Sequence, residues 1–341
     1  MIVTEAPDPQ VVAAARRGDE DAFRALVDPH RRELHAHCYR MLGSVDDAED
    51  ALQDAMLRAW RALPRFEGRS SVRTWLYRVA TNASLDVAAK RAPRQLPTDR
   101  VDAAEVHAVP GRPLEESVWI EAYPDAELGL EDGFAGPEAR YERRESVELA
   151  FVAAVQLLPP RQRAVLLLRD VLGFSAREVA EALDTSVASA NSALNRARRT
   201  LESRLPEQSQ QSAVRSLGDE RLRRLVERLV DAMERSDVDA VVAQLTEDAT
   251  WSMPPDSTWY RGEALRAFLV EWPLTQRWRH LPAQANGQPA IGCYMWDDAA
   301  RLYLPEALDV YTLRGDRVAA VTAFKTKGIF PAFGLPEQLR D

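Results

Sequence analysis

Three stretches of this 341-residue chain concentrate side chains whose types and spacing suit chemistry with other macromolecules. "SVDDAEDALQDAMLRAW" gathers Asp46, Asp47, Glu49, Asp50 and Asp54 within three helical turns. Asp47, Asp50 and Asp54 fall at i, i+3 and i+7 with Gln53 alongside, so a helix here shows one acidic face. Residues 55–91 reverse the sign, with eight bases (Arg58, Arg61, Arg65, Arg69, Arg73, Arg78, Lys90, Arg91) against Glu67 and Asp86. Trp60, Phe66, Trp75 and Tyr77 are interleaved with them, and bases beside rings suit a single nucleic-acid strand through phosphate contacts and stacking. The third stretch, "DTSVASANSALNRARRTL" (184–201), has the polarity of a helix that lies in a DNA groove. Each pattern also has a plainer explanation: a solvated acidic face, aromatic core residues (expected for Trp60 and Trp75, which sit on apolar stripes), and a helical hairpin with solvated arginines.

The elements that must position these residues are legible from periodicity. Residues 9–91 read as helices, with Ser44 as an N-cap for the acidic helix and Pro64 and Gly68 marking a loop before "SVRTWLYRVATNASLDVAAKR". In residues 92–146 six prolines break any long helix, and 92–145 carry 13 acids against 6 bases, so this is an acidic linker. Trp119, Ile120 and Tyr123 are out of place in a plain spacer, and that short stretch is expected to dock. Residues 147–205 turn helical again. Ser175 caps "AREVAEAL", a turn follows at Asp184 and Thr185, and Ser186 caps a second helix. Its stripe Val187, Ala190, Leu194, Ala197 and Leu201 is expected to be buried. Ser186, Ser189, Asn191, Ser192, Asn195, Arg196 and Arg199 are left to face DNA, with Arg198 at the flank. After a polar break at 206–214, residues 215–341 read as an α+β unit in which "LRGDR" marks a hairpin.

Composition narrows the function classes. The net charge of −9 excludes a protein that coats nucleic acid over its whole surface, while leaving local basic faces. Cys38 and Cys293 are the only cysteines and form no CxxC pair, so no metal site or disulfide framework is expected. No secretory leader or apolar run of membrane-spanning length is present, which points to a cytoplasmic protein without membrane contact.

Taken in order, "DDAEDALQDAMLRAW", "FEGRSSVRTWLYRVATNASLD" and "LPPRQRAVLLLRDVLGFSAREVAEALDTS" resemble a bacterial sigma-70 factor of the extracytoplasmic-function group, over about residues 10–205. The first two blocks are similar to region 2 and the last to region 4. The resemblance implies that Asp47, Glu49, Asp50, Gln53 and Asp54 bind the β′ clamp helices of core RNA polymerase. It also implies that Phe66 to Ser71, with Arg69 and Ser70, capture a flipped −10 base. Arg73, Thr74, Tyr77, Arg78 and Asn82 would hold the opened strand, region 4 would read the −35 duplex beside the β flap, and the linker would thread through a polymerase channel. Unlike typical members, the recognition helix has Asn191 and Ala193 where Lys and Arg are common.

Residues 215–341 are similar to the SnoaL-like group, a cone of curved sheet and helices around a pocket, which implies an α+β domain that regulates the sigma factor in cis. Trp251, Asp256, Trp259, Trp278, His280, Tyr294 and Trp296 are the candidate lining of a small-molecule pocket, with Asn286 and Gln288 as further polar groups. Asp256 with His280 is the acid/base pair an enzymatic version would need; no catalytic role and no cofactor are expected. The apolar tail "GIFPAFGLPEQL" is expected to dock. Two other readings stay open: a helix-turn-helix repressor with a ligand-sensing domain, and a SnoaL-like isomerase or cyclase. The fold expected is multidomain, with all-α region 2 (9–91) and region 4 (147–205), and an α+β domain.

Overall fold

The computed structural model describes residues 8–111, 113, 118–128, 144–325 and 327–340. Residues 129–143 of the acidic linker lie outside the described residues. Two units emerge: 1–94 with 127–205, and 95–126 with 206–341. Among the described residues no helix is long and apolar enough to cross a membrane.

The first unit is all-helical. It begins with α1 (Pro9–Arg16), α2 (Glu20–Val27), α3 (Arg31–Leu42), α4 (Val45–Ala62) and α5 (Val72–Ala88). Gly43 ends α3 in the left-handed region (φ 71°), and a Cβ there would meet the Gln156 side chain at 3.3 Å. Ser44 then accepts from Asp47 N to start α4, and Ser71 accepts from Thr74 N to start α5. The buried faces of α3, α4 and α5 (Leu34, Cys38, Ala48, Leu52, Ala55, Leu76, Ala80) form one core. Trp75 is buried with them, whereas Trp60 is half-buried edge-on to Phe23.

The unit continues with α6 (Leu149–Gln156), α7 (Pro160–Leu166) with a π-helical extension (Leu167–Val171), α8 (Ala176–Ala182) and α9 (Val187–Glu202). A reciprocal capping box joins Ser175 to Glu178 at the start of α8, and Ser186 caps α9. Ala190, Leu194, Ala197 and Leu201 are buried as the stripe predicts. Val187, in the first turn of α9, is not: it is 43% exposed.

In the second unit, helices α10 (Gln210–Leu217), α11 (Asp219–Glu234), α12 (Val238–Ala243) and α13 (Gly262–Glu271) accompany a mixed sheet. Its strands are β1 (Leu245–Ser252), β2 (Trp259–Arg261), β3 (Trp278–Ala285), β4 (Gln288–Asp297), β5 (Leu302–Arg314) and β6 (Arg317–Phe324). They lie in the order β2-β1-β6-β5-β4-β3, with only β1 and β6 parallel. The "LRGDR" hairpin forms with Arg314 opposite Arg317.

Two expectations change here. The polar break at 206–214 is largely α10, which Ser209 caps. Its buried Gln210 donates to Leu313 O (3.1 Å) and accepts from Leu313 N (2.6 Å), satisfying the end of β5. The linker is not a free connector over 95–126. Ala104 N donates to Trp259 O, Tyr260 OH to Ala108 O, Trp119 Nε1 to Pro255 O, and Tyr123 N to Asn286 Oδ1. Trp119, Ile120 and Tyr123 are buried by this docking. The tail also docks on this unit: Phe330 and Leu335 are buried, and a Cβ at Gly292 would lie 2.5 Å from the Leu335 side chain.

Candidate functional site

The acidic face of α4 is narrower than its sequence suggests. Asp47 is 3% exposed and lies between Arg91 and Arg94, with Arg94 Nη2 at 2.8 Å. It points into the unit because it occupies the third helical position, on the same side as buried Ala48 and Ala51. Glu49 is paired with Arg31 (2.9 Å) and accepts from Gln53 (3.1 Å), and Asp54 is paired with Arg58 (2.6 Å). Asp50 and Gln53 are exposed. Leu57, one turn beyond Gln53, is 56% exposed, an apolar side chain turned to solvent although it falls in the helix's apolar pattern.

The basic-aromatic segment divides between loop and helix. Phe66 is half-buried with its ring 5.1 Å from that of Trp75, and Arg69 is exposed beside Glu67, with half-buried Ser70 next to it. On α5, Arg78 and Asn82 are exposed and Thr74 is half-buried. Arg73 is committed within the protein, donating from Nε and Nη2 to both carboxylate oxygens of Glu33 at 2.9–3.1 Å. Burial pushes the Glu33 carboxyl up, but hydrogen bonds from His30 and Arg73 outweigh it and hold it at about 2.

Tyr77 is 1% exposed, and part of its cover comes from the region 4 side of the same unit. Phe174, in the turn before α8, meets the Tyr77 ring edge-on at 5.6 Å, while His37 packs edge-on at 5.3 Å and the Arg73 guanidinium lies 4.8 Å from the ring centre. Polar bonds accompany the contact: Gln156 Nε2 donates to Arg40 O (3.0 Å), Arg40 Nε to Ser146 O (3.1 Å), and buried Arg163 to Met41 O. In this arrangement Tyr77 is closed to DNA, against the role implied for it. Neither Glu33 nor Phe174 stands out in the sequence, because each acts through a partner 40 or more residues away.

The recognition helix α9 is open. Ser189, Asn191, Ser192, Asn195, Arg196 and Arg199 are exposed along it, and Ser186 spends its hydroxyl on the Ser189 cap. Arg198 is held by Asp170 through two bonds of 2.7–2.8 Å, so it braces α9 against the π-helical turn.

In the second unit a cavity of about 410 Å³ opens between the inner face of the sheet and helices α11 and α13. Of the expected lining, Trp251 and Trp278 are present; Asp256, Trp259, His280, Tyr294 and Trp296 are not. Trp259 instead donates to Val101 O of the linker, Tyr294 donates to Pro336 O of the tail, and Trp296 packs edge-on against Tyr303. Asp256 is buried beside Lys325 (3.4 Å) while His280 is buried beside Glu234 (3.6 Å), so the two face different partners and make no acid/base pair. Asn286 and Gln288 bond Tyr123 N and Tyr311 O. The polar groups that do line the cavity are Gln276, Cys293, Glu306, Asp309 and Lys325. Burial pushes the Asp309 carboxyl up to about 7 despite hydrogen bonds that it accepts from Cys293 and Tyr311. The signal in the sequence was an acid at an inward position of the alternating run Ala307, Asp309, Tyr311.

The comparisons agree with this architecture. Residues 26–94 match the Sigma-70 region 2 family, 148–201 the Sigma-70 region 4 family and 226–321 the SnoaL-like domain. Over 334 residues the chain is 43% identical to the ECF RNA polymerase sigma factor SigG of Mycobacterium tuberculosis, covering 96% of this chain and 86% of that protein. It is 30% identical over 196 residues to the ECF RNA polymerase sigma factor SigW of Bacillus subtilis, covering 57% of this chain and 94% of that one. Among solved structures, the fold is like that of the Mycobacterium tuberculosis extracytoplasmic function sigma factor SigJ, with a TM-score of 0.55 and 24% identity, covering 93% of this chain and 100% of that one. The chain belongs to the extracytoplasmic-function sigma factors of RNA polymerase. It is a transcription initiation factor that works with core polymerase and promoter DNA, and it carries a SnoaL-like C-terminal domain.

Proposed function

We propose that region 2 (9–91) docks on the β′ clamp helices through Asp50, Gln53 and Asp54 of α4, with Glu49 at the edge and Leu57 as an apolar contact. Asp47 supports the helix from within. Phe66, Arg69 and Ser70 capture the flipped −10 base, whose extrusion costs a few kcal/mol that pocket contacts offset. Arg73, Thr74, Tyr77, Arg78 and Asn82 hold the non-template strand once Phe174 has withdrawn. In region 4 (147–205), Ser189, Asn191, Ser192 and Asn195 read −35 bases, Ser186 starts the helix, and Arg196 and Arg199 grip phosphates. The protein acts in the cytoplasm and catalyses no reaction of its own. The separation of Asp256 from His280 supports that reading.

The C-terminal domain (215–341, with α10) regulates these regions in cis by holding the linker. The observation that carries this reading is that residues 95–126, which join region 2 to region 4, cluster with the C-terminal domain. A linker bonded at Ala104, Ala108, Trp119 and Tyr123 cannot also thread through a polymerase channel. The test is run-off transcription with core polymerase, comparing the full chain with residues 1–208. The truncated chain is expected to be the more active. Equal polymerase binding and equal promoter activity for the two would rule the regulation out.

A further inference from the structure

The turn between β3 and β4 holds the chain's only Asn-Gly pair, Asn286–Gly287. Ala285 pairs with Gln288, so these two residues form the whole loop, and both have positive φ (56° and 66°). Asn-Gly is a preferred sequence for such a two-residue turn. It is also the dipeptide most prone to attack itself, because no Cβ shields the glycine nitrogen from the asparagine side chain before it.

In this turn the attack is blocked, and three of the blocking groups belong to the linker. Tyr123 N donates to Asn286 Oδ1 (2.8 Å), which fixes the side-chain amide, and Tyr123 O accepts from Asn286 N (2.8 Å). Asp125 Oδ1 accepts from Gly287 N (2.7 Å), the nitrogen that would attack. Pro124, between them, bridges to Ala285. Beneath this segment Asn286 is 0% exposed. Gln211, from α10, bonds the Gly287 carbonyl, which takes no part in the attack.

We propose that Asn286 is a self-modifying site that makes release of the linker permanent. Once residues 123–125 leave, Gly287 N loses its proton to solvent and attacks Asn286 Cγ. A new C–N bond forms, the bond from Cγ to Nδ2 breaks, and the amide nitrogen takes up a proton and leaves as ammonia. Water then opens the succinimide ring at one of its two carbonyls, giving Asp or isoAsp at position 286. Water is the only co-reactant. Either product opposes re-docking. An Asp sets a second carboxylate beside that of Asp125 in a buried turn, where like charges are costly. An isoAsp adds a backbone methylene to a loop whose length sets the β3–β4 register. The inference rests on the reading that the C-terminal domain regulates by holding the linker, and it adds a step that outlasts the release.

The test is peptide mass spectrometry of the full chain during incubation at mildly alkaline pH. The rate should follow the fraction of molecules whose turn is uncovered. Asp125→Ala removes the acceptor from Gly287 N, and Trp119→Ala loosens the linker at Pro255 without touching the turn. Each should speed deamidation of Asn286 about fivefold or more, the size of one net buried hydrogen bond, whereas Asp125→Asn, which keeps an acceptor, should not. Binding of the unmodified chain to core polymerase should speed the same site with no substitution at all. Asn286→Asp, and the deamidated fraction of aged chain separated by its extra charge, should both show faster hydrogen exchange at the Tyr123 amide and higher core-dependent transcription. Equal deamidation with the turn covered and uncovered, by substitution or by polymerase, overturns gating by the linker. Unchanged Tyr123 exchange after deamidation overturns the permanence of release. If instead the 1–208 comparison fails while uncovering still speeds deamidation, the modification site stands and only its effect on transcription falls.

Discussion

Replacing Phe174 by Ala probes whether region 4 restrains region 2. Phe174 is buried, and its ring meets Tyr77 edge-on at 5.6 Å. Truncating a buried Phe costs about 3–5 kcal/mol in total, but most of that is shared by the folded region 4 in its open and closed forms. The share specific to the ring pair is about 0.5–1.5 kcal/mol, which shifts the open-to-closed ratio by about two- to twelvefold. The bonds from Arg163 to Met41 O and from Gln156 to Arg40 O remain, so the change is partial. Dyes on Cys at positions 20 and 202, both exposed in the native chain, report the separation of region 2 from the recognition helix. Cys38 and Cys293 are buried and would stay unlabelled. The expected result is a lower transfer efficiency together with higher core-dependent transcription, at unchanged helix content by circular dichroism. A folded Phe174→Ala chain with unaltered transfer efficiency would refute the reasoning, because the ring pair would then contribute nothing to closure.

Four further outcomes follow from the same structure. Asp47→Ala leaves Arg94 buried without its carboxylate and should cost about 3 kcal/mol or more in urea unfolding. Asp50→Ala should leave stability unchanged and weaken binding to core polymerase. Arg196→Ala or Arg199→Ala should lower −35 affinity and reduce its salt slope by about 1, whereas Arg198→Ala, whose guanidinium is occupied by Asp170, should leave that slope unchanged. Acidification should move the two units in opposite directions in calorimetry. Burial, with Arg40 nearby, lowers His37 to about 3. The unfolded chain therefore takes up the proton first, and the first unit loses stability as pH falls from about 6.5 toward 3. Asp309, raised to about 7, is protonated in the fold while ionised in the unfolded chain. The second unit therefore gains stability as pH falls from about 7 toward 4. Each group contributes at most about 1.4 kcal/mol per pH unit.

What a sequence can determine is local. Caps and periods fixed the helices: Ser44, Ser175 and Ser186 all cap where their position before an apolar-periodic run predicts. The Gly315–Asp316 turn fixed the last hairpin, and the open face of α9 was readable from a 3,4,3,4 stripe, save for Val187 at its exposed first turn. The order of the acidic, basic-aromatic and helix-turn-helix blocks was enough for the family. Which side chains are free was decided only by the tertiary structure, because a charge's role depends on partners that are remote in the chain. Asp47 and Asp50 look alike in "DDAED", yet one is buried against Arg91 and Arg94 and the other meets solvent. Tyr77 reads as a DNA contact until Phe174, nearly a hundred residues on, closes over it. Asp309 became a buried acid of the cavity wall because β4, β5 and β6 bring Cys293, Ala307 and Ala323 around it, a neighbourhood that no local spacing records.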